Sequence, residues 1–149
     1  MKTLKTLTAT FAVGAIVSIA ATTAAFSAQS SCNGNVCTIP VINGAKCALS
    51  AYTNAADTWN MSAAQGGSTF NEQSGSGEND TPMKWTSGNA VFTAGGDTIT
   101  VTFSANGNTN VKMRTNSGFA DGTSSAIMNG EDGADTDYND VIANVTCIK

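Results

Sequence analysis

Asp97-Thr98-Ile99-Thr100-Val101-Thr102-Phe103-Ser104-Ala105 alternates without a break. Ile99, Val101, Phe103 and Ala105 share one face, and Thr and Ser take the other. A period of two is that of a strand with one side in a core and the other in water. Asn106-Gly107 then gives a turn pair, and Val111-Lys112-Met113-Arg114 resumes the alternation. The same period runs through Cys47, Leu49 and Ala51, and through Val141, Ala143, Val145 and Cys147. No long apolar stripe has helical spacing. Gln65 to Thr81, with Gly66-Gly67 and Ser74-Gly75-Ser76-Gly77, breaks the pattern and reads as a loop with one short strand. Short alternating strands separated by turn signals predict an all-β fold, an antiparallel β-sandwich in a single domain.

The ends of the sequence bear on where the chain works. Met1-Lys2-Thr3-Leu4-Lys5 carries two cations and no acid, and an apolar, small-residue run follows from Phe11 to Ala25. The polar shift at Gln29-Ser30-Ser31 completes the pattern of a secretory signal peptide over 1–28, with cleavage between Ala25 and Ala28. The expected mature domain is 29–149, in a secreted or periplasmic protein. No other stretch approaches the roughly 18 apolar residues of a membrane span, so no membrane insertion is expected after cleavage. A net charge of −4 without a basic patch argues against nucleic acid as a partner.

All four cysteines, Cys32, Cys37, Cys47 and Cys147, lie in the exported part. An oxidising compartment makes two disulfides the expectation, with three pairings open. Cys32-Asn33-Gly34-Asn35-Val36-Cys37 looks like a hairpin; with Gly34-Asn35 as its turn, Cys32 faces Cys37. Cys47 is then left for Cys147, closing a loop of about 100 residues and stabilising by roughly 4–5 kcal/mol on the chain-entropy model. Zinc is the rival reading, but the spacing fits no zinc pattern and the chain has no His.

Glu131-Asp132-Gly133-Ala134-Asp135-Thr136-Asp137-Tyr138-Asn139-Asp140 holds five of the 11 acidic residues and no cation. Charge runs are usually solvated turns. Three features point instead to a hard cation. Oxygens recur at every second position (Asp135, Asp137, Asn139), Gly133 frees the backbone, and an apolar strand follows at once. Ca²⁺ takes six to eight oxygens from carboxylates, amides and carbonyls. An EF-hand counted from Asp135 would need Gly at the sixth position and Glu at the twelfth; those positions hold Asp140 and Thr146, so this is not an EF-hand.

This loop resembles the calcium-dependent fucose- and mannose-binding bacterial lectins, whose hallmark E-D-G-x-D-x-D-Y-N-D is matched throughout by Glu131 to Asp140. Cys37-Thr38-Ile39-Pro40 and Ser50-Ala51-Tyr52-Thr53-Asn54 are similar to the family's first segments. The resemblance implies two calcium ions, with one as the alternative, and a sugar whose hydroxyls coordinate them. It implies Asn54, Glu131, Asp135, Asp137, Asn139 and Asp140 as metal ligands. It implies Asp132, with the ligands Asp135, Asp137 and Asp140, around the sugar. Ala55-Ala56-Asp57 falls where the family has its specificity loop. Ala55 and Ala56 would offer the sugar van der Waals contact and no hydroxyl, which tilts the expectation toward mannose. A tight loop after a strand explains them equally well. The match departs at the end: family members close on a Gly whose carboxylate reaches a neighbouring subunit's calcium, whereas this sequence ends Thr146-Cys147-Ile148-Lys149. The shared ligand, and with it the oligomeric state, is left open.

Two function classes compete: a lectin for fucose- or mannose-type sugars, and a structural or adhesive module in which calcium only stiffens the loop. Asn54 discriminates, since a two-ion site needs it at the loop. Catalysis is not expected. Without His, no Ser-His-Asp or Cys-His arrangement forms, and calcium would occupy the carboxylates a glycosidase needs ionised in turn. Trp59, Trp85 and Tyr138 could stack on a sugar, but packing is the commoner fate of single aromatics.

Overall fold

The computed structural model describes residues 29–133 and 136–149; the expected signal peptide, and Asp135 in the acidic loop, lie outside the described residues. Among the described residues there is no helix. The strands are β1 (Ser31–Asn33), β2 (Val36–Pro40), β3 (Lys46–Gln65), β4 (Ser68–Pro82), β5 (Lys84–Gly88), β6 (Val91–Thr93), β7 (Thr98–Ala105), β8 (Lys112–Ala120), β9 (Thr123–Glu131) and β10 (Val141–Ile148). All pairings are antiparallel, and the main path runs β1-β2-β7-β3-β10-β9-β8.

β3 turns this path into a sandwich. Its first part, Lys46–Thr53, pairs with β10; its second, from Trp59 to Ala64, pairs with β7. Register shifts between Thr53, Ala55 and Trp59 mark the bulged bend between the two. Bulges bend a strand and increase its twist. The two ends of the path therefore come round toward each other, and Ser30 N–H donates to Ser117 Oγ at 3.0 Å across the gap. The apolar faces close on Ile39, Leu49, Trp59, Met61, Ile99, Val101, Phe103, Met128, Val141 and Val145, all buried.

The alternating segments behave as their period requires. Ile99, Val101, Phe103 and Ala105 are inside, as are Cys47, Leu49 and Ala51 opposite Cys147, Val145 and Ala143. Both expected disulfides are present. Cys32 opposes Cys37 across the Gly34-Asn35 turn, and Cys47 opposes Cys147 in the β3–β10 ladder.

Two expectations are corrected. Gln65 to Thr81 is not a loop: β4 occupies Ser68–Pro82 and forms a hairpin with β3. Its turn is Gly66-Gly67, both at positive φ (57° and 81°), as a two-residue hairpin turn demands. The inward positions of β4 hold Asn71 and Gln73 where a core strand normally holds aliphatics. Their polar groups are satisfied inside: Asn71 Nδ2 donates to Asn89 O at 2.8 Å, and Gln73 Nε2 to Asn71 Oδ1 at 3.2 Å. Buried amides are tolerated when so paired, and they erase the hydrophobic period. Secondly, Ala55-Ala56-Asp57 is not a loop after a strand but the bulged middle of β3. Ala55 is half-buried against the core, and Ala56 is exposed.

Candidate functional site

The acidic segment bridges β9 and β10 at a closed neck. Asp140 N–H donates to Gly130 O at 3.1 Å, and Asn54 N–H donates to Asp140 O at 2.8 Å. Gly130 is required there: a Cβ on it would lie 2.5 Å from Val141 Cγ1 and 2.7 Å from Met113 Sδ. Side chains of β8 and β10 thus meet over a bare backbone, immediately before the first carboxylate.

Glu131 anchors the loop from within. It is only 1% exposed, so its charge needs partners. Its Oε1 accepts from Gly133 N–H at 2.9 Å, and its Oε2 from Tyr138 N–H at 3.4 Å. Gly133 sits at φ 102°, where side-chain-bearing residues are strained. One buried carboxylate thereby gathers backbone from both ends of the loop.

Carboxylate oxygens of Glu131, Asp132 and Asp140 lie within 4.8 Å of one another. Asp132 N–H donates to Asp140 Oδ2 at 3.0 Å. Burial, the Glu131 and Asp132 charges, and a hydrogen bond shared with Glu131 push the Asp140 carboxyl from 3.8 up to about 6, against the lowering effect of that N–H. Burial is the largest of these causes.

The expected site residues thus divide. Glu131, Asp132 and Asp140 come together, and Asn54 sits at their neck by its backbone. Its amide Oδ1 accepts from Asn79 N–H at 2.7 Å. Asp137 and Asn139 form a second oxygen group: Asn139 Nδ2 donates to Asp137 Oδ2 at 2.6 Å, and Asn139 N–H to Asp137 Oδ1 at 3.2 Å. Asp135 lies outside the described residues. Of the aromatics, Trp59 is core, Trp85 is exposed on the edge strand β5, and Tyr138 lies under Arg114, whose guanidinium carbon is 3.4 Å from the ring centre.

Sequence reasoning missed Gly130, Asn79 and Arg114. Gly130 carried no signal because a close backbone approach leaves none in one sequence. Asn79 precedes Asp80, both at positive φ (64° and 54°), and Asn and Asp are the non-glycine residues that best tolerate that region. Arg114 reads only as an outward position of an alternating strand.

The family model for fucose-binding lectin II (PA-IIL) matches residues 37–149. The chain belongs to the fucose-binding lectin II family. It is therefore a lectin of a fucose-binding family. Among solved structures, the Ralstonia solanacearum high-affinity mannose-binding lectin is 24% identical with a TM-score of 0.65, over 78% of this chain and 96% of that one. The Chromobacterium violaceum lectin CV2L, solved with alpha-methyl-fucoside, is 22% identical with a TM-score of 0.61, over the same shares. These two likenesses show the shared fold. The C-terminal domain of the BC2L-C lectin from Burkholderia cenocepacia is 25% identical with a TM-score of 0.59, over 73% of this chain and 92% of that one. Among curated proteins, none matches this lectin.

Proposed function

We propose that this lectin binds fucose- or mannose-type sugars through calcium held in the acidic loop. The observation that carries this reading is the convergence of the Glu131, Asp132 and Asp140 carboxylates, at a neck where Asn54 also sits. Carboxylates at this spacing repel, and the Asp140 carboxyl is raised first by burial and further by the Glu131 and Asp132 charges. The donor set is oxygen only, without thiol or imidazole, which suits a hard cation.

Glu131 and Asp140 would hold the ion at the neck, and Asp137 and Asn139 form the second oxygen group that a two-ion site requires. Asp135 joins them on the resemblance alone. Asn54 Oδ1 keeps one lone pair beyond its bond to Asn79. Calcium held by these residues would offer coordination to the vicinal hydroxyls of a sugar. The chain's own residues do the rest: Asp132 accepts a hydroxyl proton as a charge-assisted hydrogen bond. Ala55 and Ala56, small and at the bend of β3, leave space for the sugar, which favours mannose. Residues 1–28 export the chain, so folding and disulfide formation occur outside the cytoplasm.

One observation favours a second reading. The Asn54 amide oxygen is engaged by Asn79, as expected if calcium only stiffens a loop and a single ion binds. A glycan array separates the two. With calcium present, the expected result is binding to mannose- or fucose-terminated glycans, abolished by chelator. Calcium-dependent stability without glycan binding would leave the structural module standing.

A further inference from the structure

Beside the loop lies a cleft of about 330 Å³, lined by Arg114, Thr115, Asn116, Asn129, Asp137 and Tyr138. We propose that this cleft is a second, neutral-sugar subsite, holding the next hexose of a glycan whose terminal sugar sits at the acidic loop. The inference rests on the sugar-binding reading above, and three observations support it.

The first is Tyr138. Its φ is 61°, a region that bulky side chains rarely adopt. Such strain persists only where surrounding structure holds it, and it clusters at binding sites. Here the conformation lays the ring against the Arg114 guanidinium at 3.4 Å. A guanidinium held over an aromatic face is restricted in position while its N–H groups remain available as donors.

The second is the set of available polar groups. Among the described residues, the Arg114 guanidinium and the Asn116 and Asn129 amides make no hydrogen bond to protein. The Thr115 hydroxyl is already spent on Ile127 O and Ser30 Oγ. Two amides, each both donor and acceptor, beside a fixed fork of donors match a ring that carries several hydroxyls. The cleft contains one cation, Arg114, and one anion, Asp137, so it favours a neutral ligand over a charged one.

The third is continuity with the primary site. Asp137 lines the cleft and also belongs to the acidic loop. Asn129 lies opposite both Arg114 and Ile142 in the sheet, and Ile142 lies opposite Tyr52. Adjacent strands are about 4.8 Å apart, close to the width of one hexose ring, so the row extends outward in steps that suit successive sugars.

The test uses the calcium-loaded mature protein, titrated calorimetrically with methyl α-mannoside and with α-linked mannobioses of each linkage. At least one mannobiose should bind about tenfold more tightly than the monosaccharide, as two to three net hydrogen bonds imply. Arg114→Ala and Asn116→Ala should erase that gain while leaving the monosaccharide affinity unchanged. Arg114→Lys should recover little of it, because an ammonium does not stack flat. The subsite is overturned if no mannobiose gains over the monosaccharide, or if the variants weaken both ligands equally. A gain restricted to disaccharides whose second unit is a uronic acid would overturn the neutral-ligand assignment. Failure of wild type to bind any monosaccharide would instead remove the primary reading, and the subsite with it.

Discussion

Val141–Ile148 and the ten residues before it follow opposite rules, although they meet at one peptide bond. In β10 every second side chain is apolar and buried, each is in register with a partner on β3 and β9, and a disulfide closes the far end. In the loop, carboxylates converge within 4.8 Å, and backbone sits at φ angles that few residues tolerate. The difference shows how a small domain holds a repulsive site. The loop is not stable in itself; it is clamped between two strands at Gly130 and Asp140 and gathered from within by Glu131. Cooperative packing in the frame opposes the repulsion in the site.

The comparison can be broken most forcefully on the frame side. Replacing Cys47 and Cys147 together by Ala removes a cross-link of sequence separation 100. Chain entropy puts the loss near 4.7 kcal/mol, whereas the Cys32–Cys37 pair, of separation five, should cost only about 2 kcal/mol. Urea unfolding of the two double variants should show that order. Equal losses would mean that the long-range staple does not hold the frame.

On the loop side, calcium should relieve the repulsion. A ligand that binds only the native state adds about 2.7 kcal/mol at a hundredfold excess over Kd. The melting temperature should rise with calcium and fall with chelator; an unchanged curve would remove the metal from the account.

Glu131→Ala sharpens the contrast from within the loop. It deprives the Gly133 and Tyr138 N–H groups of their acceptor and should cost about 1–3 kcal/mol without calcium. The larger consequence should be loss of most of the calcium-induced rise in melting temperature. A full rise in this variant would show that Glu131 serves the backbone alone.

The smallest effect is the pH dependence, and its sign differs with and without the metal. The Asp140 carboxyl titrates near 6 in the fold and near 3.8 when unperturbed. The folded chain therefore holds this proton more tightly, and stability from this group is present below the unfolded value and lost as pH rises through about 6. Calcium-free protein should accordingly melt higher at about pH 5 than at about pH 7.5 as far as Asp140 is concerned. The calcium-induced increment should shrink over the same fall in pH, because the proton competes with the ion for Asp140. Melting curves at both pH values, with calcium and with chelator, test the crossed signs; parallel shifts would exclude Asp140 as a ligand.

Legibility in the sequence follows the same division. β7, β10 and the start of β3 are readable because their buried positions hold aliphatics at period two. β4 is not, because Asn71 and Gln73 fill its buried positions and Gly75 packs tightly on Met83, where a Cβ would lie 3.0 Å from the Met83 Cα. Polar burial and close approach are tertiary facts that leave no local period. The acidic loop is conspicuous by composition, and its internal division is not. Nothing local separates Glu131, Asp132 and Asp140 from Asp137 and Asn139, since the partition is made by the neck and by Glu131's two backbone bonds. Both disulfides were deducible, the short one from its hairpin and the long one by elimination. Arg114 became visible only when the chain brought it onto Tyr138, 24 positions away.

The central claim, that cation and carboxylates together make the sugar site, is met most directly by one calorimetric experiment. Methyl α-mannoside and methyl α-fucoside are titrated into the mature protein with saturating calcium, then after complete chelation, and the pair is repeated with Asp132→Ala. The expected result is binding of at least one sugar with calcium and none without it. In the variant, binding should weaken roughly ten- to hundredfold, the equivalent of one charge-assisted hydrogen bond of about 1.5–3 kcal/mol, with the calcium-induced melting shift retained. Sugar binding that survives chelation undiminished would contradict the account.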